Sequence, residues 1–171
     1  MNVVPDTSAV IDGRVSERVA SGEYADATVY VPEAVVGELE AQANDGRDSG
    51  WEGLEELQRL AELADEGTVT VEYVGRRAAG AERNAAAEGD IDAIIRDLAA
   101  EFDATLLTSD VVQAEVARAK SVPTVYVEPR GRDTEHLEIE SFLDEGTMSV
   151  HLRADARPRA KRGEIGDMHY E

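Results

Sequence analysis

Four acids stand where carboxylates could act together: Asp6 in "VVPDTS", Glu38 in "VVGELE", Asp92 in "GDIDAIIRDLA" and Asp110 in "LLTSD". Asp6 and Asp110 each close a short apolar run of strand length, and strand ends can place two carboxylates within a few ångströms of each other. Glu38 lies three residues after Val35 and one before Leu39, and Asp92 three before Ile95, so both border an apolar helical stripe. Asp92 is expected in the first turn of its helix, with Asp90 as the N-cap. Four carboxylates in one place repel one another, which raises their pKa values or drives them apart. A divalent cation removes that conflict, and an all-oxygen set suits Mg²⁺ or Mn²⁺ better than zinc. The matching chemistry is phosphoryl hydrolysis, in which a cation-activated water attacks phosphorus; two ions would lie about 3.5 to 4 Å apart.

Ordinary roles compete with each assignment. Asp110 also fits a strand-to-helix cap, Glu38 competes with Glu40 as a plain amphipathic-helix acid, and Asp12 before Gly13 reads as a turn residue. A capping role suits Asp6 less, because Thr7 and Ser8 are available for it. Ser8 and Ser109 are candidates to orient the carboxylates or a bound water from behind. With no cysteine, a thiolate metal site and a disulfide are excluded. His136, His151 and His169 have no serine or cysteine nucleophile pattern around them. A receiver-like phosphoacceptor would need a lysine after a late strand, and "TVYVEPRG" supplies none.

The elements that must position these acids alternate. Strand-like runs occur at 3–4, 27–31, 69–74, 104–108 and 124–127, and segments of helical period lie between them. "PEAVVGELEAQA" has Pro32 at a favourable helix start, "WEGLEELQRLAELA" follows the breaker-rich "NDGRDSG", and "VVQAEVARAK" makes a shorter helix. "VGRRAAGAERNAAAEG" reads as a loop or frayed helix. Continuous apolar strands separated by helices imply a parallel sheet covered on both faces. The expected class is a three-layer α/β/α sandwich around a five-stranded parallel sheet.

A chain of 171 residues supports one substantial core. Its 17 Lys plus Arg against 37 Asp plus Glu give a net charge of −20, which ordinarily argues against nucleic acid as a partner. Only Lys120 and Lys161 are lysines, however, and abundant acid with scarce lysine is expected of a protein living in concentrated salt, where repulsion is screened within about 3 Å at 1 M. Residues 1–146 carry 12 basic and 33 acidic residues, net −21, while 147–171 carry 5 and 4, net +1. The chain's one basic cluster is "RADARPRAKRG", 153–163, a linker or a phosphate-contacting arm. The N-terminus shows no signal pattern and no run reaches membrane-span length, so a soluble, cytoplasmic protein is expected.

Across residues 1–128 the sequence resembles the PIN-domain (PilT N-terminus) nucleases. Asp6 in "PDTS", Glu38, Asp92 and Asp110 in "LLTSD" follow that family's order and spacing. The resemblance implies a Mg²⁺- or Mn²⁺-dependent ribonuclease, sometimes active on DNA, with frequent dimerisation. "VPDTSAVIDGRVS", "LLTSDVVQAEVARAK" and "TMSVHLRADARPRAKRG" also resemble the archaeal branch in which a PIN domain precedes a KH-like segment and an ATPase. In these 171 residues no phosphate-cradling G-x-x-x-x-G-K-[ST] motif follows, so ATP-driven activity is not expected of them. The expected division is 1–128 as the PIN-like domain and 129–171 as an extension with a short amphipathic element, a strand at 147–152 and the basic linker 153–163.

Overall fold

A computed structural model describes residues 1–76, 85–130, 147–151, 159–164 and 167–170, with side chains described in 1–76 and 89–130. Five short runs form parallel strands: β1 (Asn2–Pro5), β2 (Thr28–Pro32), β3 (Thr70–Val74), β4 (Thr105–Thr108) and β5 (Thr124–Tyr126), in the order β3-β2-β1-β4-β5. The central strand β1 and its neighbour β4 are buried on both faces, while β2 buries Val29 and Val31 and leaves Thr28 and Tyr30 half-buried. Val3, Val4, Val29, Val31, Leu106 and Leu107 are all fully enclosed, as continuous apolar strands require. Pro5 is the last residue of β1, where its missing N–H costs no ladder bond.

The helices are α1 (Thr7–Ile11), α2 (Arg14–Ala20), α3 (Glu33–Asn44), α4 (Asp48–Asp65), α5 (Ala85–Glu101) and α6 (Val111–Ala119). The layered α/β class and the five-stranded parallel sheet are as expected from the sequence. One expectation is corrected: α5 begins at Ala85, so Asp92 lies well inside it and Asp90 is not its cap. Alanine's high helical propensity extends the helix backwards through "AAAEG", and at Gly89 an added Cβ would meet nothing within 4 Å.

A close packing against α4 holds the helix that carries Glu38. A Cβ on Gly50 would stand 2.2 Å from Ala43 N, so α3 and α4 approach more closely there than any larger residue permits. Behind them the fully buried Glu56 caps α2 from a distance. Gly13, at φ +65, has no side chain to cap that helix. Instead Glu56 accepts from Ser16 N and Ser16 Oγ, each at 2.7 Å, with Arg59 Nη1 at 3.5 Å.

By internal contacts the chain divides into Met1–Arg130 and Gly131–Glu171. The second unit holds an antiparallel sheet of β6 (Thr147–His151), β7 (Arg159–Glu164) and β8 (Asp167–Tyr170), with β7 in the middle. The basic stretch read as a linker thus contributes Arg159–Gly163 to a strand. The amphipathic element expected from "LEIESFLDEG" lies outside the described residues. Among the described residues no helix is long and apolar enough to cross a membrane.

Candidate active site

The chain runs from β1 outwards to β2 and β3, then returns to the other side of β1 as β4, so strand order reverses between β1 and β4. At such a reversal the connections leave in opposite directions and open a crevice beyond the carboxyl ends of the strands. Pro5 pairs with Leu107, and Asp6 N donates to Leu107 O at 2.8 Å. Asp6 therefore leaves the sheet beside Thr108, with Asp110 two residues further on.

Asp6 is 3% exposed and its carboxylate is held on both oxygens. Oδ1 accepts from Thr7 N at 2.7 Å, and Oδ2 accepts from the hydroxyls of Thr108 at 2.7 Å and Ser8 at 3.0 Å. Each hydroxyl also accepts a backbone N–H from the turn after β4: Thr108 from Asp110 at 3.0 Å, Ser8 from Ser109 at 2.9 Å. A hydroxyl has one proton, and two N–H donors directed at these oxygens leave that proton for Asp6. Burial pushes the Asp6 carboxyl up, the three hydrogen bonds oppose this, and the charge of Asp110 adds to the rise. Asp6 is also the N-cap of α1, so the capping role that seemed less suited to it coexists with its place in the site.

Glu38 reaches the same edge through Thr7, whose hydroxyl donates to Glu38 Oε2 at 2.6 Å. Its other oxygen accepts from Gln42 Nε2 at 3.3 Å, and Gln42 Oε1 accepts from Ser49 Oγ at 2.6 Å. A chain of polar contacts thus runs from the start of α4 through α3 to α1. Asp110 is exposed and caps α6, accepting at Oδ1 from Val112 N at 2.7 Å and Gln113 N at 3.3 Å.

Asp92 feels the charge of each of the other three candidate acids. Its pKa is pushed up from 3.8 to about 6, first by burial and then by the charges of Asp6, Asp110 and Glu38, with Arg96 pulling the other way. Three acids remote from it in sequence act on one side chain. They also fit one kind of ligand: the donors are all oxygen, and their repulsion is what a hard divalent cation would relieve. As placed, no three acidic or histidine side chains among the described residues surround a single ion position, so the fit rests on donor type and charge.

Sequence reasoning missed Thr7, Thr108, Arg96 and Gln113. Thr108 was signalled by a hydroxyl within the apolar strand "LLT" just before an acid. "DVVQ" has the spacing of a capping box, in which Gln113 would reach back to Asp110 N. Only half of that box forms, because Thr108 takes the Asp110 N–H. The buried Gln113 turns instead towards α5, donating to the Asp92 carbonyl at 3.1 Å and accepting from Arg96 Nη1. It links the helix that carries Asp92 to the helix capped by Asp110. Ser109, expected to orient a carboxylate, contributes its backbone N–H, and its buried hydroxyl has no partner among the described residues.

The PIN domain family model matches residues 3–119. The chain belongs to the PIN domain family. PIN domains are generally nucleases and typically use divalent metals. A KH and PIN-domain containing protein of Methanocaldococcus jannaschii is 45% identical over 166 residues, covering 97% of this chain and 26% of that protein. A Holliday junction branch migration ATPase of Sulfolobus acidocaldarius is 27% identical over 172 residues, covering 99% of this chain and 31% of the ATPase. The chain therefore spans less than a third of the length of these relatives. A solved domain of a functionally unknown protein from M. jannaschii superimposes with a TM-score of 0.65 at 40% identity, covering 80% of this chain and 97% of that domain.

Proposed function

We propose that this PIN domain is a metal-dependent endoribonuclease that hydrolyses phosphodiester bonds, with Asp6, Glu38, Asp92 and Asp110 holding Mg²⁺ or Mn²⁺. The observation that supports this most is that Asp6, Asp110 and Glu38 each act on the charge of Asp92, and Asp110 on that of Asp6, beside the point where strand order reverses. When bound, a divalent cation supplies an activated water and offsets charge on the phosphate oxygens.

The chain's own residues prepare the site for it. Thr7, Ser8 and Thr108 hold Asp6 in one orientation, so little conformational freedom remains to be lost on binding. Thr7 and Gln42 do the same for Glu38. Asp92, with its pKa near 6, is the acid most ready to hold a proton close to neutral pH, and that proton competes with a cation. Arg96 and Gln113 keep the Asp92 segment against the start of α6.

Cleavage of single-stranded RNA with Mn²⁺, compared between wild type and Asp6→Asn, tests the reading. The variant is expected to lose cleavage and Mn²⁺ binding while keeping its circular dichroism spectrum. Equal cleavage by both proteins would sink the proposal. A second reading, a non-cleaving nucleic-acid-binding or regulatory module of a larger PIN–ATPase protein, draws support from the Holliday junction ATPase that matches across nearly the whole chain. Retained RNA binding with no cleavage in Mg²⁺ or Mn²⁺ would favour it.

A further inference from the structure

Directly after Asp110, α6 opens with two valines that the fold leaves bare: Val111 is 56% and Val112 66% exposed. The other large apolar residues exposed among the described residues, Met1, Trp51 and Tyr73, lie apart from one another in the chain. The backbone of the valines is held firmly. Val112 N donates to Asp110 Oδ1 at 2.7 Å, and the buried Gln113 fastens the same turn to α5 at the Asp92 carbonyl. In a helix the Cα–Cβ bonds tilt towards the N-terminus, and α6 starts where β4 ends, so both side chains lean towards the carboxyl edge of the sheet, the side on which the crevice opens. Branching at Cβ restricts each to few rotamers. The first turns of α2, α3 and α4 carry Glu17, Glu33 and Asp48, where the helix dipole favours an acid, whereas that of α6 carries none. Beside the carboxylates the chain thus presents a small, rigid and uncharged apolar ledge.

We infer that Val111 and Val112 form the ledge on which a nucleobase of single-stranded RNA lies when its phosphate is at the carboxylates. The inference rests on the reading of the chain as a nuclease acting on RNA and adds to it the residues that hold the base. Along α6 the two valines follow Asp110 by rises of about 1.5 and 3 Å, within reach of a base tethered to that phosphate through one ribose. A base offers a flat apolar face that can shed water against the valines, whereas an acid in their place would repel the phosphate. In a duplex both faces of a base are already stacked on its neighbours, so the ledge selects an unpaired base.

The test uses the full chain with Ca²⁺, which takes the same oxygen ligands, and follows an oligouridylate of about 20 nucleotides by fluorescence anisotropy beside an abasic strand of equal length. Denaturing electrophoresis afterwards reads cleavage separately. Wild type should bind the uridylate more tightly than the abasic strand. Val111→Ser together with Val112→Ser should weaken uridylate binding roughly tenfold and change abasic binding by less than about twofold. Tyr73→Ser, at an exposed aromatic on the edge strand β3, should change neither by more than about twofold. The pair Val111→Thr and Val112→Thr keeps the shape of both side chains while replacing a methyl with a hydroxyl, and should show the same base-selective loss if the serine pair disturbs the helix. Equal weakening on both strands, no weakening in the threonine pair, or an equal loss in Tyr73→Ser would overturn the inference, as would a wild type that does not distinguish the two strands. A change of oligomeric state with RNA affinity intact would overturn it in favour of a second copy as the occupant of the ledge. Base-selective binding with no cleavage in Mg²⁺ or Mn²⁺ would support the ledge and count against the nuclease reading alone.

Discussion

Asp92 should destabilise the protein that its chemistry requires. Its pKa rises from 3.8 to about 6 on folding, and at 1.36 kcal/mol per tenfold this corresponds to about 3 kcal/mol between its charged and protonated states. The side chain is partly exposed, so solvent screening reduces that figure to roughly 1–2 kcal/mol. The sign follows from proton linkage. A carboxyl with a raised folded pKa makes the native state bind more protons than the unfolded chain between about pH 4 and 6, so its stability contribution is complete below pH 4 and is lost as pH rises through about 6. Asp92→Asn cannot ionise and escapes that loss. In EDTA at pH 7.5, urea denaturation should show the variant more stable than wild type by roughly 1–2 kcal/mol, with a much smaller difference at pH 4. Mn²⁺ at about a hundred times its dissociation constant should add about 2.7 kcal/mol to wild type and little to the variant, reversing the order. A variant less stable than wild type at pH 7.5 in EDTA, or one equally stabilised by Mn²⁺, would refute the reasoning.

Three further outcomes are expected. Gln113→Leu leaves the Asp92 carbonyl and the Arg96 guanidinium without their shared partner, which should cost roughly 1–3 kcal/mol in urea denaturation and lower Mn²⁺ affinity by about 10- to 100-fold by calorimetry. Gly50→Ala drives a methyl to 2.2 Å from the Ala43 backbone N and should cost roughly 1–3 kcal/mol, whereas at Gly53 the nearest atom is a Leu39 side-chain carbon at 2.3 Å, which can rotate away, so Gly53→Ala should cost less. If the surface acid is an adaptation to concentrated salt, the melting temperature should rise from about 0.1 M towards multimolar KCl, and an unchanged or lower value would count against that origin.

Much of the framework was legible because burial leaves a local trace. Short continuous apolar runs marked all five strands of the sheet, and Val35 with Leu39 and Ile95 with Leu98 lie on helix stripes whose buried side the structure repeats. Boundaries were less legible. The helix of Asp92 starts earlier than expected because alanine propensity, which carries no directional signal, extended it past the cap that Asp90 offered. The role of Glu56 was not legible at all, since nothing near it in sequence announces that α2 lacks a cap of its own.

The sequence by itself determined the kinds of element and the presence of an acid at the end of each of two apolar runs, because side-chain periodicity and strand termination are properties of neighbouring residues. Only the tertiary structure decided that β1 and β4 lie side by side in the register Pro5 to Leu107. That register gives Thr108 to Asp6 and Ser8 to the turn after β4, and the packing of α5 against α6 gives Gln113 to Asp92 rather than to its own helix cap. The third of these contacts joins two helices, and the first two join residues about a hundred positions apart. They form because the sheet can bury both strands in that order, and a carboxylate buried at its edge must take hydrogen bonds from whatever donors the neighbouring strand brings.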